Sequence, residues 1–336
     1  MRIRFNHTAI GLAWAYALAA CGPSRARPEA PAAAIPPADV AAAASGDVEL
    51  VSECDRAPQR AQGVRPRSTT VVYTRPHGQA LHLDLVRPAD GAMRPAVVLV
   101  HGGGWASGSR AYTRAPMRSL AARGYVGVSV DYRLARRRSR FPAAVSDVRC
   151  AVRFLRAHHA RFGIDPDRIA AVGFSAGGHL AAMLAVAPEV AALDDGTCPV
   201  TDVGPEVAVA VAWYAPFDLT AWRDERPRAA RIVSDFLGAQ PDEAPDRAAL
   251  ASPIRHVSAG DAPLLLVHGT ADTVVALDEP RAMLAALRDA GVRSHLVEVP
   301  DARHGFPFDA PRHRLATCTT LAFLEQLLAL PSSEAR

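Results

Sequence analysis

The sequence contains no lysine, and all 38 of its basic residues are arginines. This absence argues against a phosphate-binding P-loop, whose motif includes a lysine. The arginines are spread along the chain and are nearly balanced by 34 acidic residues, which leaves a formal net charge of only +4. The densest basic run, residues 136–138, is short and typical of a solvated loop. We therefore predict no nucleic-acid partner.

Long hydrophobic runs and metal-binding cysteine spacings are also missing. The apolar run near the N terminus, TAIGLAWAYALAA, is too short to cross a bilayer as a helix. It follows Arg2 and Arg4 and therefore has the composition of a signal-peptide core. No Cys-x-x-Cys pair and no zinc-type His/Cys spacing occurs in the sequence. We predict neither a metal ion nor another cofactor.

The end of this apolar run resembles the lipobox of bacterial lipoproteins. A branched residue and two small ones precede a cysteine in Leu-Ala-Ala-Cys, residues 18–21. The resemblance implies that residues 1–20 are a signal peptide and that Cys21 is acylated, which would anchor an exported protein to the membrane of the cell envelope. Gly22, in place of an aspartate, favours the outer membrane. The alternative is an ordinary signal peptide with a chance cysteine.

The composition changes twice along the rest of the chain. Residues 21–65 are rich in proline, alanine and small polar residues without sustained periodicity, which predicts a tether. Residues 66–330 show regular apolar patterns and predict one catalytic domain. In an oxidising compartment the remaining four cysteines allow three full pairings, which the sequence leaves open. These cysteines are Cys54, Cys150, Cys198 and Cys318.

Strand-like and helix-like patterns alternate through the predicted domain. TTVVYTR and LHLDLVRP predict a hairpin, and near-continuous apolar segments such as AVVLV and APLLLV predict buried strands. Helical patterns separate the later strands. This order predicts an α/β fold whose mostly parallel central sheet carries helices on both faces.

One serine lies among very small residues at a predicted strand-to-helix junction. The pentapeptide GFSAG, residues 173–177, fits the G-x-S-x-G nucleophile elbow. Such an elbow holds its serine in a strained turn above the sheet, and the residues two before and two after it must be small. Close packing of a strand on a helix is the alternative reason for small residues. We predict Ser175 as a nucleophile.

A glycine run directly after another predicted strand provides a second feature, HGGGW at residues 101–105. Consecutive glycines let backbone N–H groups turn towards one point, as stabilisation of an ester-hydrolysis oxyanion requires. A phosphate cradle is the alternative, but the spacing is not G-x-G-x-x-G and the P-loop lysine is absent. We predict that the amides of Gly103, Gly104 and Ala176 form an oxyanion hole.

A nucleophilic serine needs a general base and a group that orients the base. His304 follows the last predicted strand, and Asp272 follows the strand before it. The order Ser175, Asp272, His304 is that of the α/β-hydrolase triad. Asp218 follows an earlier strand and is a weaker candidate for the acid.

The other histidines and acids are expected to have structural roles. His101 and His268 end strands, where a structural hydrogen bond is usual. His179 lies one turn into the predicted elbow helix and is expected to pack below the serine. Asp147 is expected at a helix start or in a turn.

With these residues the chain resembles the α/β-hydrolase superfamily, and within it the branch of hormone-sensitive-lipase-like, feruloyl and acetyl-xylan esterases. The resemblance covers about residues 68–330 and rests on HGGGW, DYRLA, FPAAVSDV, GFSAGGHLA, WYAPFDL, SPIRHV, HGTADTVV and RHGF. It implies an ester hydrolase with Ser175 as nucleophile, His304 as base and Asp272 as its orienter, and without a cofactor. The implied substrates are short-chain acyl esters or polysaccharide-linked acetyl and feruloyl esters.

Two departures from this family bear on access to the site. Lipase-like members often continue DYRLA with Pro-Glu, whereas this chain reads DYRLARRRSR. Capped members have amphipathic helices before the first strand, where this chain has its tether, so we expect a small cap or none and an open cleft. The segment TAWRDERPRAARIVSDFLG, after Asp218, is an alternative source of a lid.

Two rival functions stay open at this point. An amidase, arylformamidase or peptidase on the same fold would use the same triad, which does not separate ester from amide leaving groups. A non-catalytic hydrolase-fold lipoprotein that binds the envelope would be expected to have a broken triad, whereas all the expected residues are present.

Overall fold

The computed structural model describes residues 66–136, 138–222, 227–308 and 313–329. Within these ranges a single sheet is formed by β1 (Arg67–Thr74), β2 (Leu81–Arg87), β3 (Arg94–Val100), β4 (Val126–Val130), β5 (Ile164–Phe174), β6 (Val209–Trp213), β7 (Leu264–Gly269) and β8 (Ser294–Val299). The helices are α1 (Arg114–Ala122), α2 (Ala143–Ala157), α3 (His159–Phe162), α4 (Ala176–Val186), α5 (Pro227–Leu237), α6 (Pro245–Leu250), α7 (Asp278–Asp289) and α8 (Arg314–Leu328).

The strand order in the sheet is β1-β2-β4-β3-β5-β6-β7-β8. Strand β2 runs antiparallel to both of its neighbours, β1 and β4, whereas β3 to β8 are all parallel. The predicted α/β class with a mostly parallel sheet is therefore confirmed, as is the hairpin at its start. Because parallel strands end at the same edge of a sheet, the loops after β3, β5, β7 and β8 meet there.

Helices cover both faces of the sheet, and the side chains of β3 show how the two cores arise. Successive strand residues point to opposite faces, so Val98 and Val100 enter one core while Val97 and Leu99 enter the other. The first core, which we call the α4-face core, is completed by α2, α4, α5 and α7. The second, the α8-face core, is completed by α1 and α8.

Asp147 lies inside α2, and the expectation of a helix start or turn is wrong. The helix begins at Ala143, and the Asp147 side chain is buried. The carboxylate accepts hydrogen bonds from Nε and an Nη of Arg133, at 2.8 and 2.7 Å. Burial raises the pKa of Asp147, and the neighbouring guanidinium only partly offsets this effect. A buried carboxylate is tolerated in the helix because it has this charged partner.

The loop between α4 and β6 is tied to α2 by covalent and ionic bonds. Cys150 and Cys198 form a disulfide whose Cα atoms are 5.5 Å apart, which answers the pairing that the sequence left open. Arg149 and Arg153 both bind Asp194 on the same loop, at 2.9 and 2.8 Å. Cys318 is also disulfide-bonded. Cys54 lies outside the described residues.

The predicted signal peptide, Cys21 and the tether at residues 21–65 also lie outside the described residues. In the part of the chain that is described, no helix combines the length and apolarity needed to cross a membrane. The same part contains no group of three histidine, cysteine or acidic side chains arranged to hold a metal ion.

Candidate active site

Ser175 stands between the end of β5 and the start of α4, with φ 54° and ψ −120°. A positive φ is strained for any residue with a Cβ atom. The Ser175 amide donates to the carbonyl of Trp213 at the end of β6, at 2.8 Å, and so fixes the turn against the neighbouring strand. The strained strand-to-helix turn predicted from GFSAG is therefore present.

The glycines on either side of the serine are required by close backbone approach. A Cβ atom on Gly173 would lie 1.9 Å from the carbonyl oxygen of Gly177. A Cβ atom on Gly177 would lie 2.2 Å from the carbonyl oxygen of Val100 in β3. Both distances are far below van der Waals contact, so only glycine fits. The small residues around Ser175 thus allow β3, β5 and α4 to meet directly beneath it.

The structure brings the three predicted triad residues together. Ser175 Oγ lies 2.8 Å from Nε2 of His304, and Nδ1 of the same ring lies 2.7 Å from Oδ2 of Asp272. His304 stands on the loop after β8 and Asp272 on the loop after β7. With Nδ1–H donating to the carboxylate, Nε2 carries the lone pair that accepts the serine hydroxyl proton.

The carboxylate of Asp272 is fully buried and held on both oxygens. Its Oδ1 accepts hydrogen bonds from the amides of Val274 and Val275, at 2.8 and 3.0 Å. Burial alone raises the pKa of Asp272, but the bonds from His304 and from these two amides outweigh it, so that the pKa lies below its ordinary value. Asp272 is therefore ionised at neutral pH and favours the Nδ1–H tautomer of His304.

A second histidine also reaches this carboxylate. His268 Nε2 lies 3.1 Å from the carbonyl oxygen of Val275 and 3.4 Å from Oδ2 of Asp272. Burial lowers the pKa of His268 and keeps its ring neutral. The predicted structural hydrogen bond is present, but the approach to Asp272 was not predicted. The only sequence feature that could have indicated this contact is the spacing of four positions between His268 and Asp272.

The glycine loop after β3 passes beside the serine. A Cβ atom on Gly102 would lie 2.7 Å from the carbonyl oxygen of Phe174 and 3.3 Å from Cβ of Ser175. Gly103 and Gly104 have φ of 121° and 58°, values that favour glycine. The loop therefore needs glycine at Gly102 for its close approach to Ser175, and at Gly103 and Gly104 for their positive φ angles.

The three amides predicted as oxyanion donors are available. Among the described residues, no acceptor is hydrogen-bonded to the amide nitrogens of Gly103, Gly104 or Ala176. Ala176 is the first residue of α4, where amides have no acceptor within the helix and the helix dipole favours negative charge.

His179 lies one turn into α4, and its amide donates to the carbonyl of Ser175 at 3.0 Å. Its ring is buried between Nε1 of Trp105, 3.3 Å from Nδ1, and the carbonyl oxygen of Ala251, 2.7 Å from Nε2. Burial lowers the pKa of His179 to about 4. The ring is neutral at physiological pH, in agreement with the packing role expected from the sequence.

Asp218, the weaker candidate for the acid, is occupied elsewhere. Its Oδ1 accepts from the amide of Thr220 at 3.0 Å, and its Oδ2 lies 3.3 Å from an Nη of Arg255. Its own amide donates to Glu279 at 2.9 Å, as does the amide of Phe217 at 2.8 Å. These bonds hold the loop after β6 in place, and the carboxylate that reaches His304 is that of Asp272.

Two proteins of Mycobacterium tuberculosis are similar to this chain in sequence. LipM of Mycobacterium tuberculosis, described as a probable carboxylic ester hydrolase, is 31% identical over 260 residues, which cover 75% of this chain and 59% of LipM. The esterase LipC of the same organism is 37% identical over 239 residues, covering 67% of this chain and 56% of LipC. The chain thus spans less than two thirds of the length of these two relatives.

One similar solved structure is matched over nearly its whole length. The thermophilic esterase Est2 of Thermogutta terrifontis, in a propionate-bound form, superimposes with a TM-score of 0.65 at 32% identity, covering 79% of this chain and 97% of Est2. The model of the BD-FAE family matches residues 83–287, which is more than half of the chain. This chain therefore belongs to the BD-FAE family, within the α/β-hydrolase superfamily.

Proposed function

We propose that this protein is a serine carboxylic-ester hydrolase. The observation that carries the proposal is the chain of two hydrogen bonds from Ser175 Oγ through His304 to the buried Asp272, at 2.8 and 2.7 Å. The esterases among its relatives support the same reaction class. The positions of these three side chains define the remaining steps of the mechanism.

Acylation begins as Ser175 Oγ attacks the ester carbonyl carbon and His304 Nε2 takes the hydroxyl proton. The carbonyl oxygen gains the negative charge and is stabilised by the free amides of Gly103, Gly104 and Ala176. When the intermediate collapses, the bond to the alcohol oxygen breaks. The alcohol leaves with the proton from His304, and the acyl group stays on the serine.

Deacylation repeats these steps with water as the nucleophile. His304 takes a proton from the water molecule, whose oxygen attacks the acyl carbon. The proton then returns to Ser175 Oγ as the carboxylic acid leaves. Throughout, Asp272 holds the ring in the Nδ1–H tautomer and stabilises the imidazolium that forms in each half-reaction.

We propose short-chain acyl esters as the substrate class, including acetyl or feruloyl groups carried on polysaccharides. The propionate-bound form of Est2 supports a short acyl group. Among the described residues, the segment between β6 and β7 contains only two α-helices, α5 and α6, and a cap of this size would leave room for a bulky alcohol such as a glycan.

Turnover of a substrate panel tests the reaction class. We would assay p-nitrophenyl acetate, butyrate and octanoate, acetylated xylan, methyl ferulate and an aryl amide with the wild-type chain, Ser175→Ala and a control, Ser119→Ala in α1. Ester turnover should fall by several orders of magnitude in Ser175→Ala alone. Turnover of the amide only would indicate an amidase, and a folded protein without any turnover would indicate a binding function.

We also propose that Cys21 is lipidated and that the protein is anchored to the cell envelope, on the outer membrane. The support is the Leu-Ala-Ala-Cys sequence after the apolar N-terminal run. Replacing Cys21 with serine should move the protein from the membrane fraction to the soluble fraction of cells. If the Cys21→Ser protein stays membrane-bound to the same extent, lipidation at this residue is wrong.

A further inference from the structure

The helix α5 places one partly exposed apolar side chain directly on the glycine loop. A Cβ atom on Gly104 would lie 2.8 Å from Cγ2 of Ile232 and 3.7 Å from its Cδ1. The three heavy atoms nearest to that Cβ position all belong to Ile232. Ile232 therefore stands next to a backbone amide that faces the reacting carbonyl in the proposed mechanism.

The core holds this side chain in position. Phe236 lies one turn further along α5 and stacks on Trp105 with ring centroids 4.3 Å apart and planes inclined by 13°. Phe236 and Val233 are fully buried in the α4-face core. Residues four apart lie on the same side of a helix, so the contact that buries Phe236 also directs Ile232 towards Gly104.

The exposure of Ile232 fits a wall of an open cleft. Its relative accessibility is 39%, which is high for a large aliphatic side chain that contacts the loop beside a nucleophile. Single exposed apolar residues are common on protein surfaces. Here, however, the exposed surface adjoins the position where an ester group must lie.

The location of His304 indicates which half of the ester would touch Ile232. The leaving alcohol oxygen must lie at His304 Nε2 to receive its proton. The His304 ring packs on Tyr214, at 5.1 Å between centroids, and Tyr214 belongs to the α8-face core. Ile232 is carried by a helix of the α4-face core. The group on the side away from His304 is the acyl group.

We propose that Ile232 forms the wall of the acyl site and limits the length of acyl group that the protein accepts. This inference rests on the proposed esterase function. It defines the substrate class as esters whose acyl group is short enough to fit between Ser175 and the α5 side chain, with few restrictions on the alcohol.

Two variants of opposite size test the proposal. Ile232→Ala should raise kcat/KM for p-nitrophenyl octanoate, relative to that for p-nitrophenyl acetate, by about 10-fold or more. Ile232→Phe should lower kcat/KM for the butyrate and the octanoate, each relative to the acetate, by a similar factor. The reason is that one methylene group in a pocket changes rates by roughly 10- to 200-fold. Each result is expressed relative to the acetate rate of the same variant, so that a general change in turnover cancels.

A matched control and a second substrate series make the outcomes distinct. Met93→Ala changes a side chain of nearly equal exposure, 40%, just before β3 and so at the opposite end of the strand from the glycine loop. This variant should keep the wild-type acyl profile. Acetates of methyl, butyl and benzyl alcohol should respond equally in all variants.

An unchanged acyl profile in both Ile232 variants would overturn the proposal, and so would a change confined to the alcohol series. Circular dichroism and melting curves establish that each variant is folded. Failure of the esterase proposal has a separate signature: the wild-type chain would then show no hydrolysis that Ser175→Ala removes, whatever residue stands at position 232.

Discussion

The indole Nε1 of Trp105 lies 3.3 Å from Nδ1 of His179, and this hydrogen bond joins the glycine loop after β3 to the helix that starts at Ser175. The opposite ring nitrogen, Nε2, donates to the carbonyl of Ala251 at 2.7 Å. Only the neutral ring, with its proton on Nε2, can make both contacts at once. A protonated His179 would have no lone pair for the indole and would carry a buried charge.

The pH dependence of stability should therefore show the titration of His179. Its pKa in the fold is about 4, below the ordinary value of 6.5, so between these two pH values the unfolded chain binds a proton that the fold excludes. Stability is lost as the pH falls through this range, by about 1.4 kcal/mol per pH unit and at most about 3.5 kcal/mol from this group.

Urea unfolding of the wild type and of His179→Gln at pH 4.5, 5.5 and 6.5 checks this. Glutamine offers one donor and one acceptor but does not titrate, so the variant should lose less stability on acidification. Buried His101 and His268 contribute equally to both proteins. Parallel curves for the two proteins would contradict the prediction.

The acid of the triad can be identified by comparing two aspartates. In Asp272→Asn, the amide oxygen can keep accepting from Val274 and Val275, which turns the amide N–H groups towards His304 and forces the wrong tautomer. Turnover of p-nitrophenyl acetate should fall on the order of 10⁴-fold. Asp218→Asn should stay within about threefold, since its carboxylate does not bind His304 and its ion pair with Arg255 is partly exposed. A larger loss in Asp218→Asn would reverse the assignment.

Gly177 should tolerate no side chain. In Gly177→Ala the new Cβ atom would lie 2.2 Å from the backbone oxygen of Val100, which no side-chain rotation can relieve. We expect a loss of at least about 4 kcal/mol in the free energy of unfolding, or insoluble protein. The control is Gly196→Ala, where nothing lies within 4 Å and only a φ of 76° is strained. That change should cost about 1–2 kcal/mol, and equal losses would show that close approach is not the cause.

Removing the disulfide between Cys150 and Cys198 should lower stability without abolishing activity. The two residues are 48 apart in sequence, and a loop of this length corresponds to about 4 kcal/mol in the chain-entropy description. The double variant Cys150→Ala/Cys198→Ala leaves Cys318 untouched. Its melting temperature should fall, while ester turnover at 25 °C stays within about threefold. A loss of turnover in folded protein would show that the loop it fixes shapes the site.

The sequence predicted those parts of the fold that depend on short-range patterns. The apolar strands and the glycine-flanked serine are local features, and the chain order of Ser175, Asp272 and His304 is sufficient to place each after a strand. Because parallel strands end at one edge, such an order predicts that these side chains meet. The role of the glycines beside Ser175 was also predictable, because a turn that brings two backbone segments into close contact requires glycine.

The remaining features depend on contacts between distant segments. Helix α1, Arg114–Ala122, has only nine residues and contains a proline, so its periodicity is too weak to read from sequence. The prediction of a helix start or turn at Asp147 was wrong because the partner of this aspartate, Arg133, lies outside the helix that contains Asp147. The position of α5 against the glycine loop depends on the stacking of Phe236 on Trp105. These two residues are 131 positions apart in the sequence.

The backbone at Ser175 has a consequence for how such a chain can change over generations. A non-glycine residue at φ 54°, ψ −120° costs about 1–3 kcal/mol, and a glycine there would relieve that strain. Selection for folding alone would therefore drive position 175 towards glycine. Only selection for the reactivity of the hydroxyl opposes that drift, so a descendant released from its chemistry would be expected to lose this serine early and to become more heat-resistant in doing so.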